Sequence, residues 1–73
     1  MKKGIYKHYK GNNYEVLGTV THSETLEKLV LYKALYEPFE MWVRPIEMFS
    51  EVVDKPEYNY KGPRFQLIQE YDS

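Results

Sequence analysis

Seventy-three residues make a single domain, 1–73, and a chain of this size buries only about 60% of the surface it exposes when unfolded, so its core is small. With no cysteine there is neither a disulfide framework nor a thiolate metal site, and packing by eight tyrosines, three phenylalanines and one tryptophan must hold the fold. Ten basic against eleven acidic residues, net charge −1, argue against non-specific DNA binding; no apolar stretch approaches the roughly 20 residues of a membrane span and Met1-Lys2-Lys3-Gly4 opens no signal sequence, so a soluble, cytoplasmic protein is expected.

Residues 5–9 alternate and run into Lys10-Gly11-Asn12-Asn13, whose glycine and asparagines tolerate positive φ, so a hairpin is predicted. Residues 14–21 resume a period of two, with Tyr14, Val16, Gly18 and Val20 on the expected inner face; Gly18 in mid-strand marks a bend or bulge. Residues 22–28 are polar enough to be a connection. Residues 29–36 form the most apolar run, and their length and the boundary at Pro38 fit a buried strand better than two turns of helix.

After a turn at residues 37–40, residues 41–44 make a short strand stopped by Pro45. Trp42 and Arg44 must share a face opposite Val43, which is the better core candidate of the three. Residues 46–49 suit one helical or 3₁₀ turn that drops Met48 and Phe49 onto the core. Residues 54–62 read as a surface loop, 64–68 as a last strand and 69–73 as a frayed tail. The predicted architecture is all-β: a five-stranded SH3-like barrel with one short helical turn, folded over residues 4–68.

Three constellations could carry chemistry. His22-Ser23-Glu24, with His8 and Glu27 as auxiliaries, holds the residue types of a hydrolytic triad. Consecutive side chains on extended backbone diverge, however, and no glycine-rich segment offers an oxyanion hole. Ser23 and Thr25 are more simply read as hydroxyls fixing a turn. His8 and His22 could ligate a metal with Glu24 or Glu27, but two scattered histidines without a readable outer shell are weak support, and no metal or cofactor is expected. The third constellation is Trp42 with Arg44, accompanied by Tyr6, His8, Tyr32, Tyr36 and Arg64. Aromatic and arginine enrichment is the compositional signature of a binding patch, although a small barrel also needs Tyr32, Phe49 and Phe65 to fill its core.

Gly4-x-Tyr6-x-His8-Tyr9-Lys10-Gly11, Tyr14-x-Val16, His22-Ser23-Glu24-Thr25-Leu26-Glu27, Val30-x-Tyr32, Leu35-Tyr36, Trp42-Val43-Arg44-Pro45, Met48-Phe49 and Pro63-Arg64-Phe65 occur in that order. Together they resemble a family of small bacterial proteins, domain of unknown function 1653, over residues 4–65. The resemblance implies a stand-alone or fused bacterial domain and a small β-barrel; it names no activity and no catalytic residue. The segment Glu57-Tyr58-Asn59-Tyr60-Lys61-Gly62 departs from it in being longer and more aromatic.

These readings converge on a non-catalytic binding module that presents an aromatic and polar face to a peptide, a nucleotide or RNA. His22, Ser23, Glu24 and Thr25 are expected on one side of the site, Trp42 and Arg44 on the other, with His8 and Arg64 beside them. The alternatives are a small hydrolase or metal-dependent enzyme using His8, His22, Ser23 and Glu24, and a self-associating scaffold whose exposed edge strand or aromatic patch pairs with itself.

Overall fold

The structure, a computed structural model, describes residues 1–72. Seven strands form in chain order: β1 (Gly4–His8), β2 (Asn13–Thr21), β3 (Lys28–Ala34), β4 (Met41–Pro45), β5 (Val52–Lys55), β6 (Tyr60–Pro63) and β7 (Phe65–Glu70). One helical turn, α1 (Ile46–Phe49), joins β4 to β5. The domain is mainly β, as its breakers and short alternating runs dictate, but it is neither five-stranded nor closed. Five strands form an antiparallel sheet in the order β4-β3-β2-β1-β7, leaving β4 and β7 as edges, while β5 pairs only with β6. A closed SH3-like barrel would require the intervening chain to bridge those edges. Residues 52–63 pair with each other in a separate hairpin instead.

That hairpin replaces the loop expected over residues 54–62. Pro56–Tyr58 form a single 3₁₀ turn and Asn59 takes a left-handed conformation, φ 50°, which lets β6 return along β5. Val53 is buried beneath it, and Tyr58 and Tyr60 both pack on Tyr9, which ties the hairpin to the end of β1.

The bulge expected at Gly18 is present and has a larger effect than a bend. Val16 lies opposite Tyr32 but Gly18 lies opposite Leu31, so Leu17 is the extra residue. One inserted residue exchanges the faces of everything after it. Tyr14 and Val16 point inward and are buried, whereas Val20 is turned away and left exposed, contrary to the simple period-two reading.

The inner face of the large sheet carries Tyr6, Tyr14, Val16, Val30, Tyr32, Ala34 and Phe65, and α1 closes it from below with Phe49. Phe49 is 1% exposed while Met48 is 51% exposed, so the plug is one side chain rather than two. The C-terminal segment is not frayed up to residue 71. β7 continues to Glu70, Tyr71 donates its N–H to the Lys3 carbonyl at 3.0 Å, and its hydroxyl reaches Glu15 Oε2 at 2.7 Å. β7 crosses Gly4 so closely that a Cβ there would stand 2.1 Å from the Gln69 carbonyl oxygen, which only glycine avoids.

Candidate functional site

Antiparallel partners share a face, and this settles what β4 contributes. Trp42 lies opposite Tyr32 and Arg44 opposite Val30, both inner-face residues, while Val43 lies opposite Leu31 on the far side and is 53% exposed. Trp42 and Arg44 therefore do share a face, but it is the inner one; Val43 is not the core residue. Because β4 is an edge strand, its inward side chains reach past the packed core and wall a cavity of about 420 Å³.

The walls are built from all five strands of the large sheet. Tyr14 and Tyr32 stand 6.2 and 6.0 Å from the Trp42 ring, centre to centre. Phe65, at the start of β7, meets His8 edge-on at 4.9 Å, and the Arg44 guanidinium carbon lies 5.8 Å from the Phe65 ring centre. Val43 completes the lining at the rim. Arg44 forms no ion pair among the described residues; the two salt bridges there are Lys2 with Glu70 and Arg64 with Glu51.

His8 is neutral in this setting. Burial is the largest cause, followed by the nearby positive charges of Arg64, Lys10 and Arg44, and together they lower its pKa to about 4. Its Nδ1 accepts the Lys10 backbone N–H at 3.1 Å, which assigns the proton of the neutral ring to Nε2 as a donor. The Tyr14 hydroxyl lies 2.9 Å from that of Tyr36. Burial and this bond raise its pKa far above the ordinary phenol value, so it too stays uncharged. The cavity thus combines flat apolar walls, uncharged hydrogen-bonding groups and one guanidinium, and no carboxylate, hydroxymethyl or thiol group lines it.

Of the residues singled out from sequence, His8, Trp42 and Arg44 are brought together here. Arg64 is committed elsewhere: its Nε and Nη2 donate to Glu51 Oε1 at 3.1 and 2.6 Å, and it lies over Tyr9. His22, Ser23, Glu24 and Thr25 do not line the cavity. They form the turn at the far end of β2, where His22 Nδ1 accepts the Glu24 and Thr25 backbone N–H groups at 3.2 and 3.3 Å. Thr25 Oγ1 accepts the N–H of Glu27 at 3.2 Å, as the turn-fixing reading of that hydroxyl supposes. The nine residues of β2, at about 3.3 Å each, separate His22 from His8, too far for a shared ion or a shared proton. Among the described residues no group of three or more His, Asp or Glu side chains is placed to hold a metal.

The sequence places Tyr14 on an inner face and Tyr32 and Phe65 in the core, but points to none of the three as a wall of the site. All three are more than nine-tenths buried and do fill the core; a cavity beside an edge strand exposes one side of rings that are otherwise packed. The legible signal was the use of tyrosine where leucine or valine would fill an inner face without bringing hydroxyls.

Fold and cavity together define a small, mainly β domain with two open sheets and an aromatic-walled pocket at one edge. The family described as protein of unknown function (DUF1653) matches residues 4–67, and the chain belongs to it. It is similar to the crystal structure of a DUF1653 protein from Bordetella bronchiseptica, with 32% sequence identity and a TM-score of 0.86, over 100% of this chain and 94% of that one. No curated protein matches the chain. No helix among the described residues is long and apolar enough to cross a membrane.

Proposed function

We propose that the domain is a non-catalytic binding module whose edge cavity takes a ligand joining an anionic group to a flat or apolar one, as an acidic, aromatic-containing peptide or a nucleotide does. The observation that carries this reading is Arg44, a guanidinium without an acidic partner among the described residues, held beside Phe65 in a cavity walled by Trp42, Tyr32 and Tyr14. Rings bury the ligand's flat part at low entropy cost, and the guanidinium fixes a carboxylate or phosphate in two directions at once. Neutral His8 adds a donor without a competing charge. The cavity volume of about 420 Å³ lies in the range of small-ligand sites.

Amide chemical-shift titration of the dilute protein with nucleotides, short RNA and acidic aromatic peptides tests the reading. Perturbations gathered at Trp42, Arg44, His8 and Phe65, and lost in Arg44→Ala and Trp42→Ala variants that remain folded, support it. Perturbations confined to the His22–Thr25 turn, or none with any ligand, refute it.

A further inference from the structure

The outer edge of β4 presents a pattern that its own sequence completes. The Ala34 N–H bonds to the Glu40 carbonyl at 2.9 Å, continuing the β3–β4 ladder by one residue. In an antiparallel ladder the bonding direction alternates along the strand. Glu40, Trp42 and Arg44 accordingly turn their backbone groups toward β3, while Met41 and Val43 turn theirs outward. Pro45 falls at the next outward position, where its missing N–H costs no ladder bond. The two residues with outward backbone groups also have apolar side chains, each 53% exposed, and no lysine guards the strand. Proteins usually blunt such an edge.

We infer that β4 is a self-pairing edge whose occupant is β4 of a second copy of this chain, antiparallel about a two-fold axis at Trp42. The segment Glu40-Met41-Trp42-Val43-Arg44 is complementary to its own reverse. In that register Glu40 of each copy faces Arg44 of the other on the inner face, Trp42 faces Trp42, and Met41 faces Val43 on the outer face. The outward N–H and C=O groups of Met41 and Val43 then exchange hydrogen bonds across the seam, closing the sheet edge into a ten-stranded sheet. A shift by one residue turns Trp42 to the wrong face, and a shift by two, which keeps the faces, breaks both Glu40–Arg44 pairs by setting Arg44 opposite Trp42 or Pro38, so the pleat and the charges together favour this register. A closed two-fold contact of this kind is isologous and ends at the dimer.

The inference goes beyond the binding reading and touches it at one point: Glu40 of the second copy and a ligand's anion both seek the Arg44 guanidinium. Ligand binding in the cavity therefore opposes pairing, and by linkage pairing weakens ligand binding. A five-residue edge is small beside the roughly 20 to 30 residues a side of a standard interface. The dimer should accordingly be weak and reversible, with a Kd between about 10 µM and 1 mM.

Sedimentation velocity without ligand, over about 10 µM to 1 mM protein, is the test, with the fluorescence of Trp42, the only tryptophan, as a second signal. The expected result is a concentration-dependent dimer that Glu40→Arg or Arg44→Glu abolishes, each melting like the parent, and that the double variant Glu40→Arg/Arg44→Glu restores. A chain monomeric throughout, or a dimer indifferent to both single reversals, overturns the inference. So does a monomer whose Met41 and Val43 amides are protected only by an added acidic peptide, which would make the edge a peptide site. None of these outcomes depends on whether a ligand enters the cavity of the dilute monomer.

Discussion

Phe49 lies flat on Phe65, ring centres 4.2 Å apart and planes within 2° of parallel. The other side of the same aromatic layer meets His8 and the Arg44 guanidinium. Phe65 is thus both the roof of the core over α1 and the floor of the edge cavity, so the plug beneath the sheet holds the site in shape. Phe49 also meets Tyr6 at 5.5 Å and Tyr32 at 5.3 Å edge-on, the arrangement that ring quadrupoles favour.

Truncating this plug should be severe. A buried Phe→Ala change costs about 3 to 5 kcal/mol, against a total stability of roughly 5 to 15 kcal/mol for natural domains. Phe49→Ala should be largely unfolded at 37 °C, and Phe49→Leu, which keeps most of the volume, should fold with a lowered Tm. Circular-dichroism melts compare the two, and an unchanged melt for the alanine variant would contradict the packing described.

The cavity residues should separate stability from binding. Arg44 has no ion-pair partner among the described residues, and Trp42 is 37% exposed on an edge strand. Arg44→Ala should cost under about 1 kcal/mol and Trp42→Ala about 1 to 2 kcal/mol, while either removes cavity binding in the titration above. Loss of fold in Arg44→Ala would make that residue architectural.

Acid should weaken the fold through His8. Its folded pKa, about 4, is below the ordinary value of 6.5, so between those two values the unfolded chain takes up a proton that the folded chain refuses. Stability from this group is present in full above pH 6.5 and falls as pH drops from 6.5 toward 4. A Tm series over that window should decline, and His8→Gln, which keeps a polar group without the titration, should decline less. Equal slopes for the two proteins would show that carboxylates alone cause the loss. An anion bound beside His8 should also raise its pKa, which NMR titration of the imidazole reads directly.

The turn after β2 stores strain that a substitution can release. Leu26 has φ 62° and is 70% exposed, so its side chain buries little while its backbone occupies the left-handed region that disfavours a Cβ. Leu26→Gly should raise stability by about 0.5 to 1 kcal/mol after the entropy lost to glycine is counted. A lower Tm would mean that the leucine makes a contact worth more than the strain.

Much of this protein is determined locally and was legible in the residue order. The hairpin at Gly11 and Asn12, the strand ending at Pro45, the single helical turn that buries Phe49, the bulge at Gly18 and the shared face of Trp42 and Arg44 each follow from steric preferences acting over a few residues. Tertiary structure decided everything that depends on pairing between distant segments. Whether β4 meets β7, whether residues 52–63 pair with each other, which face Val20 takes beyond the bulge, and whether the inward side of β4 is Val43 or Trp42 are settled by ladders whose partners lie far apart in the chain. The site shows the same division. Trp42 and Arg44 announce a polar, aromatic face, but His8 and Phe65 join them only because β7 returns beside β1, and His22 is left out because β2 runs its full length in the other direction. Period and propensity fix what each segment is, while register, set by the burial of whole faces at once, fixes what it touches.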